Sequence, residues 1–314
     1  MPVVQEHLKG RDFTLIAGWS PEELKTVLDL ADELKRMQQE GREHRLLPGR
    51  SLGMIFQKPS TRTRVSFEVG MTQLGGHALY LRADDLQLGR GETIRDTATV
   101  LSRYLDAIMI RTYEQSHVEE LARHAEVPVV NGLTDQSHPC QILADLMTIR
   151  ERHGRLSGVR LAYLGDGNNV CNSLMTAAEK FGMRFVAAVP EGYDPNENVV
   201  KTARRAAVQG GGTVEITRDA RAAASGADVL YTDTWTSMGQ EAEREKRLAD
   251  LAGYGIDAEL VGLAKPDAIV MHCLPAHYGE EITEEVLYGP QSAVWDQAEN
   301  RLHSQKALLA LIVR

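Results

Sequence analysis

Ser51-Leu52-Gly53-Met54-Ile55-Phe56 runs directly into Gln57-Lys58-Pro59-Ser60-Thr61-Arg62-Thr63-Arg64, and then into a stretch carrying Val65, Phe67 and Val69. A short apolar run, a polar turn and a helical stretch with an apolar face, in that order, make half of a parallel βαβ unit. The alternation recurs along nearly all of the 314 residues. Strands are expected at 51–56, 77–81, 107–111 and 127–131, and again at 159–165, 184–189, 213–217, 228–233 and 268–274. Between the two groups, Pro139–His153 carries Ile142, Leu143, Leu146 and Ile149 and reads as a connecting helix. The expected fold class is α/β, with two doubly wound parallel-sheet domains joined by interdomain helices and an active site in the cleft between them. The first domain is expected over 1–138 and the second over 139–297. A C-terminal helix over about 298–314, with Leu302, Leu308, Leu309 and Ile312 on its apolar face, is expected to return to the first. Near the start, Ser20-Pro21-Glu22-Glu23 is a helix-capping signal.

Composition narrows the function classes. An apolar fraction of 43% and a charged fraction of 25% suit a globular chain, and exclude disordered and fibrous classes. No run approaches the ~20 apolar residues of a membrane helix, and Glu6, His7, Lys9 and Arg11 replace an apolar signal core, so a cytoplasmic location is expected. Acidic side chains outnumber basic ones by 44 to 35, a net charge of -9 that argues against general binding to nucleic acid or anionic membrane. Cys140, Cys171 and Cys273 are too few and too scattered for a disulfide framework or a paired-cysteine zinc site.

In open α/β sheets, ligands bind beyond the carboxyl ends of the strands. Polar groups gather at those positions. Ser60 to Arg64 follows the first expected strand, Arg111 ends the third, and His138-Pro139-Cys140-Gln141 comes after the fourth. In the second half the corresponding places hold Gly165-Asp166-Gly167-Asn168-Asn169, Asp233-Thr234-Trp235-Thr236-Ser237-Met238-Gly239 and His272-Cys273-Leu274-Pro275. Helix-terminal amides, the helix dipole and a bidentate guanidinium together suit a phosphate dianion at Ser60 to Arg64. A serine-capped helix with two solvated arginines accounts for the same five residues without a ligand. Cys140 and Cys171 read as packing residues, whereas Cys273, between His272 and His277, has the polar setting in which a thiol can act.

The Gly165-Asp166-Gly167 turn opens like a dinucleotide fingerprint, with Glu191 near the ribose-binding position. Val170 stands where the third glycine belongs, which argues against a nicotinamide site. Asn168 and Asn169 can cap the following helix or offer amides to a ligand. The stretch 236–255 sets charged residues between glycines, as a lid would, and also as a solvated surface helix would.

With these motifs in place the chain resembles the transcarbamoylase family, and within it the ornithine enzymes, from about Phe13 to its C-terminus. Ser60-Thr61-Arg62-Thr63-Arg64 and His138-Pro139-Cys140-Gln141 are similar to the family's carbamoyl-phosphate signature. The Ser237-Met238-Gly239 loop and His272-Cys273-Leu274-Pro275 resemble the ornithine enzymes; aspartate enzymes carry proline at the Cys273 position, and putrescine enzymes lack the loop. The resemblance implies that Ser60, Thr61, Arg62 and Thr63 hold phosphate, and that Arg111, His138 and Gln141 contact the carbamoyl group. It places Asn169, Asp233, Ser237 and Met238 at the amino-acid end of ornithine. Cys273 and Leu274 border both the carbamoyl group and the δ-amine, and Arg301 points toward the transferred carbonyl. Gln87 is implied to reach a neighbouring subunit's site in a homotrimer or a multiple of trimers. Arg62, Arg111, His138, Cys273 and Asp233 are the implied catalytic set, with carbamoyl phosphate and L-ornithine as substrates and no cofactor. Tyr278 departs from the arginine many relatives carry there. Another amine acceptor within the family, or a non-catalytic Rossmann-like binding protein, are the competing readings.

Overall fold

The computed structural model describes residues 6–87, 91–237 and 239–314. The chain forms two compact units: the first runs to Met147 and takes back Glu299–Arg314, and the second is Thr148–Ala298. Among the described residues, no helix is long and apolar enough to cross a membrane.

In the first unit, β1 (Ser51–Phe56), β2 (His77–Arg82), β3 (Ala107–Arg111) and β4 (Val129–Leu133) form a parallel sheet in the order β2-β1-β3-β4. In the second, β5 (Arg160–Leu164), β6 (Arg184–Ala188), β7 (Thr213–Thr217), β8 (Val229–Thr232) and β9 (Ile269–His272) are parallel in the order β7-β6-β5-β8-β9. The two doubly wound parallel sheets are those expected of the sequence. The central strands are buried on both faces, so β3 reads as the unbroken apolar run Ala107-Ile108-Met109-Ile110 and not as an alternation.

Strand order decides where a ligand can enter. Chain progression reverses between β1 and β3 in the first sheet, and between β5 and β8 in the second. Helices leaving neighbouring strands on opposite faces open a crevice at such a point. The turn after β1 is Ser60 to Arg64 and β3 ends in Arg111; the turn after β5 is Gly165 to Asn169 and β8 runs into Asp233.

Most strand ends fall within one residue of expectation, whereas β4 and β9 each end two residues away for local reasons. β4 lies two residues later than 127–131, because its register against β3 shifts between Ile110 and Arg111, pairing Arg111 with Leu133. β9 stops at His272, because Leu274 takes φ 60 and turns the chain away.

Helix ends follow the sequence closely. Ser20 Oγ accepts the Glu23 N–H at 3.2 Å while Glu23 Oε2 accepts the Ser20 N–H at 2.7 Å, completing a capping box for Pro21–Gln39. The C-terminal helix is an exception, running over Val294–Ile312 and so starting four residues before the expected 298; within the first unit its Lys306 is fully buried. The Lys306 ammonium donates to Gln38 Oε1 at 2.8 Å and Gln73 Oε1 at 2.7 Å, and lies 3.1 Å from His44 Nε2. Gly70 makes the approach possible, since a methyl group there would sit 3.1 Å from Lys306 Cγ. Burial lowers the Lys306 pKa from the usual 10.5 to about 8. A folded-state pKa below the unfolded value means that stability is full above about 10.5 and is lost as pH falls toward 8. Lys306→Met should therefore flatten the pH dependence of unfolding between those values. The difference from the parent should be about 3 kcal/mol across the window, read from chemical denaturation at each pH.

Candidate functional site

The first unit gathers cationic groups at its switch point. Ser60 is the N-cap of the helix Thr61–Gln73: its Oγ accepts the Thr63 N–H at 3.2 Å. Ser60 Oγ–H also lies 3.2 Å from Thr63 Oγ1. The capping reading is therefore correct, and it coexists with an anion-binding geometry, because the first turn of a helix leaves further N–H groups facing outward. Thr61 is exposed and Arg62 half-buried beside it, whereas Thr63 is fully buried.

Arg301 reaches this turn from the C-terminal helix. Its guanidinium donates to Thr63 Oγ1 at 3.2 Å, to Gln141 Oε1 at 2.7 Å and to Gln305 Oε1 at 2.9 Å. Gln141 Nε2 in turn donates to Asp145 Oδ1 at 2.9 Å, and Gln305 Nε2 to Ser66 Oγ at 2.7 Å. Arg111 and His138 are buried. Burial, followed by the charges of Arg301, Arg111 and Arg62, holds the His138 imidazole well below its usual pKa. His138 is therefore neutral in a site whose charge comes from three guanidinium groups, an arrangement that suits an oxyanion-bearing ligand.

A buried network fixes the loop before His138. Asn131 Nδ2 donates to Ser137 Oγ at 3.0 Å and to the Thr14 carbonyl at 3.0 Å, while Thr134 Oγ1 donates to Gln115 Oε1 at 2.9 Å. Cys140 donates its thiol to the Asn131 carbonyl at 3.3 Å, and burial raises its pKa to about 12, so it is a packing residue as expected. Arg64 turns away from the others: its guanidinium stacks 3.9 Å over the Tyr80 ring and meets Glu68 at 3.2 Å. Lys58 is buried against Asp135 and over the Tyr113 ring. Gln87 is exposed after β2 and, among the described residues, bonds to none of these side chains.

The second unit builds a polar cluster around one carboxylate. Cys273 donates its thiol to Asp233 Oδ1 at 2.8 Å, the same oxygen accepts the Thr234 N–H at 2.7 Å, and Asn168 Nδ2 donates to Asp233 Oδ2 at 2.7 Å. Asn168 also caps the helix Asn169–Lys180 by accepting the Val170 and Cys171 N–H groups. Asn169, the first residue of that helix, is half-buried. Asn168 thus does what the sequence left open between two asparagines: its carbonyl caps and its amide holds Asp233. Ser237 is half-buried, with its N–H on Gln240 Oε1 at 3.1 Å. Met238 lies outside the described residues.

The glycine turn is not a dinucleotide cradle. Gly167 donates its N–H to the Tyr193 carbonyl at 2.9 Å, and a Cβ there would sit 2.3 Å from Pro195 N. The chain's own 193–195 backbone fills the space. Asp166, whose pKa burial raises against the opposing charge of Arg247, is paired with Arg247 at 2.8 Å. Arg247 also donates to the Trp235 carbonyl at 3.0 Å, tying the helix Arg244–Leu251 to the turns after β5 and β8. A buried arginine in a charge-rich surface stretch is invisible to periodicity, so sequence reading missed this anchor.

Comparison with known proteins divides the chain at nearly the same place, although the second match also takes in the C-terminal helix that the structure returns to the first unit. Residues 11–151 match the family described as aspartate/ornithine carbamoyltransferase, carbamoyl-P binding domain, and residues 157–312 match the Asp/Orn binding domain of the same enzymes. The ornithine carbamoyltransferase of Pyrococcus abyssi is 58% identical over 98% of this chain and 96% of its own. The anabolic ornithine carbamoyltransferase of Pyrococcus furiosus is also 58% identical, over 98% and 97%. Among solved structures, ornithine carbamoyltransferase from Pyrococcus furiosus superposes with a TM-score of 0.95 at 57% identity, covering 98% of both chains. That from Thermus thermophilus gives 0.87 at 44% identity, covering 96% of this chain and 99% of its own.

The two arginines of the first turn should behave differently. Arg62→Leu should weaken binding of inorganic phosphate at least about tenfold by calorimetry, and Arg62→Lys should recover part of it. Arg64→Leu should leave it unchanged.

Proposed function

Because the chain belongs to the aspartate/ornithine carbamoyltransferase family, we propose that it transfers the carbamoyl group of carbamoyl phosphate to the δ-amine of L-ornithine, giving L-citrulline and phosphate. The observation that carries the choice of ornithine is Cys273 on Asp233, set beside the Ser237 loop, in a chain whose relatives named above are ornithine enzymes.

Each unit supplies one half of the chemistry. In the first, Ser60, Thr61, Arg62 and Thr63 take the phosphate, and Arg301 and Gln141 orient the carbamoyl group. Attack on the carbonyl carbon produces a tetrahedral oxyanion, which Arg62, Arg111 and the neutral His138 stabilise as preorganised donors. As the carbon–oxygen bond to phosphate breaks, the same guanidinium groups receive the charge that develops on the leaving group.

The second unit deals with the amine. A primary ammonium with a pKa of about 10.4 is neutral in only about one molecule in a few thousand at pH 7, a cost of about 4 to 5 kcal/mol. Asp233 gives the amino-acid substrate a carboxylate partner, and Asn169, Ser237 and Met238 complete its α end. The amine proton passes to the Cys273–Asp233 pair or to the departing phosphate.

We also infer a cytoplasmic enzyme of arginine metabolism that works as a homotrimer or a multiple of trimers, with Gln87 reaching a neighbouring subunit. Support for assembly comes from the exposed apolar side chains Val65 and Val69 on Thr61–Gln73 and Leu79 on the edge strand β2. Sedimentation equilibrium should give three times the chain mass or a multiple of it, and a monomer at working concentration would refute the assembly.

The purified protein should carbamoylate L-ornithine far faster than putrescine or aspartate, and equal rates with putrescine would show that the α-carboxylate and α-amine are not read. Cys273→Ser keeps the size but lacks an acidic proton. It should raise the KM for ornithine, lower kcat and move the pH optimum upward, while binding of carbamoyl phosphate survives. A carbamoylated Cys273 seen by mass spectrometry with carbamoyl phosphate alone would replace this role by a covalent one.

A further inference from the structure

His272 and Glu281 are fully buried polar side chains behind the Cys273 bend. Glu281 Oε1 accepts the His277 N–H at 2.6 Å and lies 3.1 Å from His272 Nε2. Across the ring, the Leu274 N–H donates to His272 Nδ1 at 2.7 Å. An Nδ1 that accepts carries no proton, so the imidazole is the neutral tautomer with its proton on Nε2, directed at the carboxylate. The His272 backbone N–H is held by Gln297 Oε1 at 2.9 Å, and Gln297 Nε2 donates to the Tyr231 hydroxyl at 3.0 Å.

The bond to Leu274 falls where the backbone needs it. Among the described residues, Leu274 is the one non-glycine with positive φ, at 60°. A side chain at that φ crowds the backbone, so the conformation persists only where the surroundings impose it. The same bend carries Cys273, whose thiol meets Asp233 at 2.8 Å.

We propose that His272, backed by Glu281, is the positioning residue for the amine end of the reaction: its Nδ1 pins the Leu274 N–H, fixes the left-handed bend and thereby sets the Cys273 thiol on Asp233. The inference rests on the ornithine reaction proposed above. Glu281 acts one step further back, by keeping the proton on Nε2 so that Nδ1 remains an acceptor.

Two substitutions separate the nitrogens. His272→Asn places a carbonyl oxygen near the Nδ1 position and can still accept from Leu274, whereas His272→Gln reaches the Nε2 position and leaves the Leu274 N–H without its acceptor. His272→Asn should keep kcat with ornithine within about tenfold of the parent. His272→Gln should lose about a hundredfold in kcat and raise the KM for ornithine, with the KM for carbamoyl phosphate unchanged. Equal losses in both variants, or full activity in His272→Gln, would overturn the proposal. Nitrogen NMR of the unsubstituted protein labelled at histidine needs no variant to fold. It should find His272 protonated on Nε2 alone, with a hydrogen-bond coupling from the Leu274 amide to Nδ1; a doubly protonated ring or an Nδ1–H tautomer overturns the proposal. If the parent protein turned over no ornithine, the reaction would fall instead, and the NMR result would still decide the His272–Leu274 bond.

Discussion

Three guanidinium groups around a neutral imidazole impose the central constraint on this molecule. Arg62, Arg111 and Arg301 all press the His138 pKa downward. Like charges gathered in a partly dry site are costly unless the fold fixes them and an anion answers them. Here three elements far apart in sequence do the fixing: a helix N-terminus after β1, the end of β3 and a helix returned from the C-terminus. Arg301 is the clasp among them, since its guanidinium bonds Thr63, Gln141 and Gln305 at once. The polar side chains that hold it are themselves held, Gln141 by Asp145 and Gln305 by Ser66, so the cation is directional before any ligand arrives.

The second unit solves the opposite electrostatic problem. Its polar cluster is organised by carboxylates: Asp233 gathers Cys273, Asn168 and the Thr234 N–H, while Glu281 gathers His272 and the His277 N–H. Both carboxylates take their hydrogen bonds from thiol, amide, imidazole and backbone groups. That difference fits a reaction in which one substrate brings phosphate and the other brings an ammonium group.

Much of the fold was legible in the sequence because parallel strands buried on both faces leave continuous apolar runs, and Ser51-Leu52-Gly53-Met54-Ile55-Phe56 is such a run to the residue. Capping chemistry is equally local, so Ser20 and Glu23 could be paired by spacing alone. The end of β9 was misjudged because 268–274 is apolar enough to continue as a strand, and the bond that ends it comes from a side chain two residues back. By residue type alone Arg62 and Arg64 are equivalent, and only the family resemblance singled out Arg62; in the structure the Arg62 charge acts on His138 whereas Arg64 stacks on Tyr80. Helical spacing sends alternate residues to different faces, but the identity of each face is a tertiary matter.

The sequence by itself determined the alternation of strands and helices, the positions of the polar turns at strand ends and the residue types available there, because these depend on periodicity and on contacts a few residues long. Tertiary structure alone decided strand order, and with it which two turns flank each switch point, because order is set by crossovers rather than by any one segment. It also decided that Asn168 serves Asp233, that the 193–195 backbone fills the glycine turn, and that Arg247 is buried on Asp166. Those outcomes join residues 26 to 81 positions apart, through hydrogen bonds and close contacts whose partners no local pattern can name.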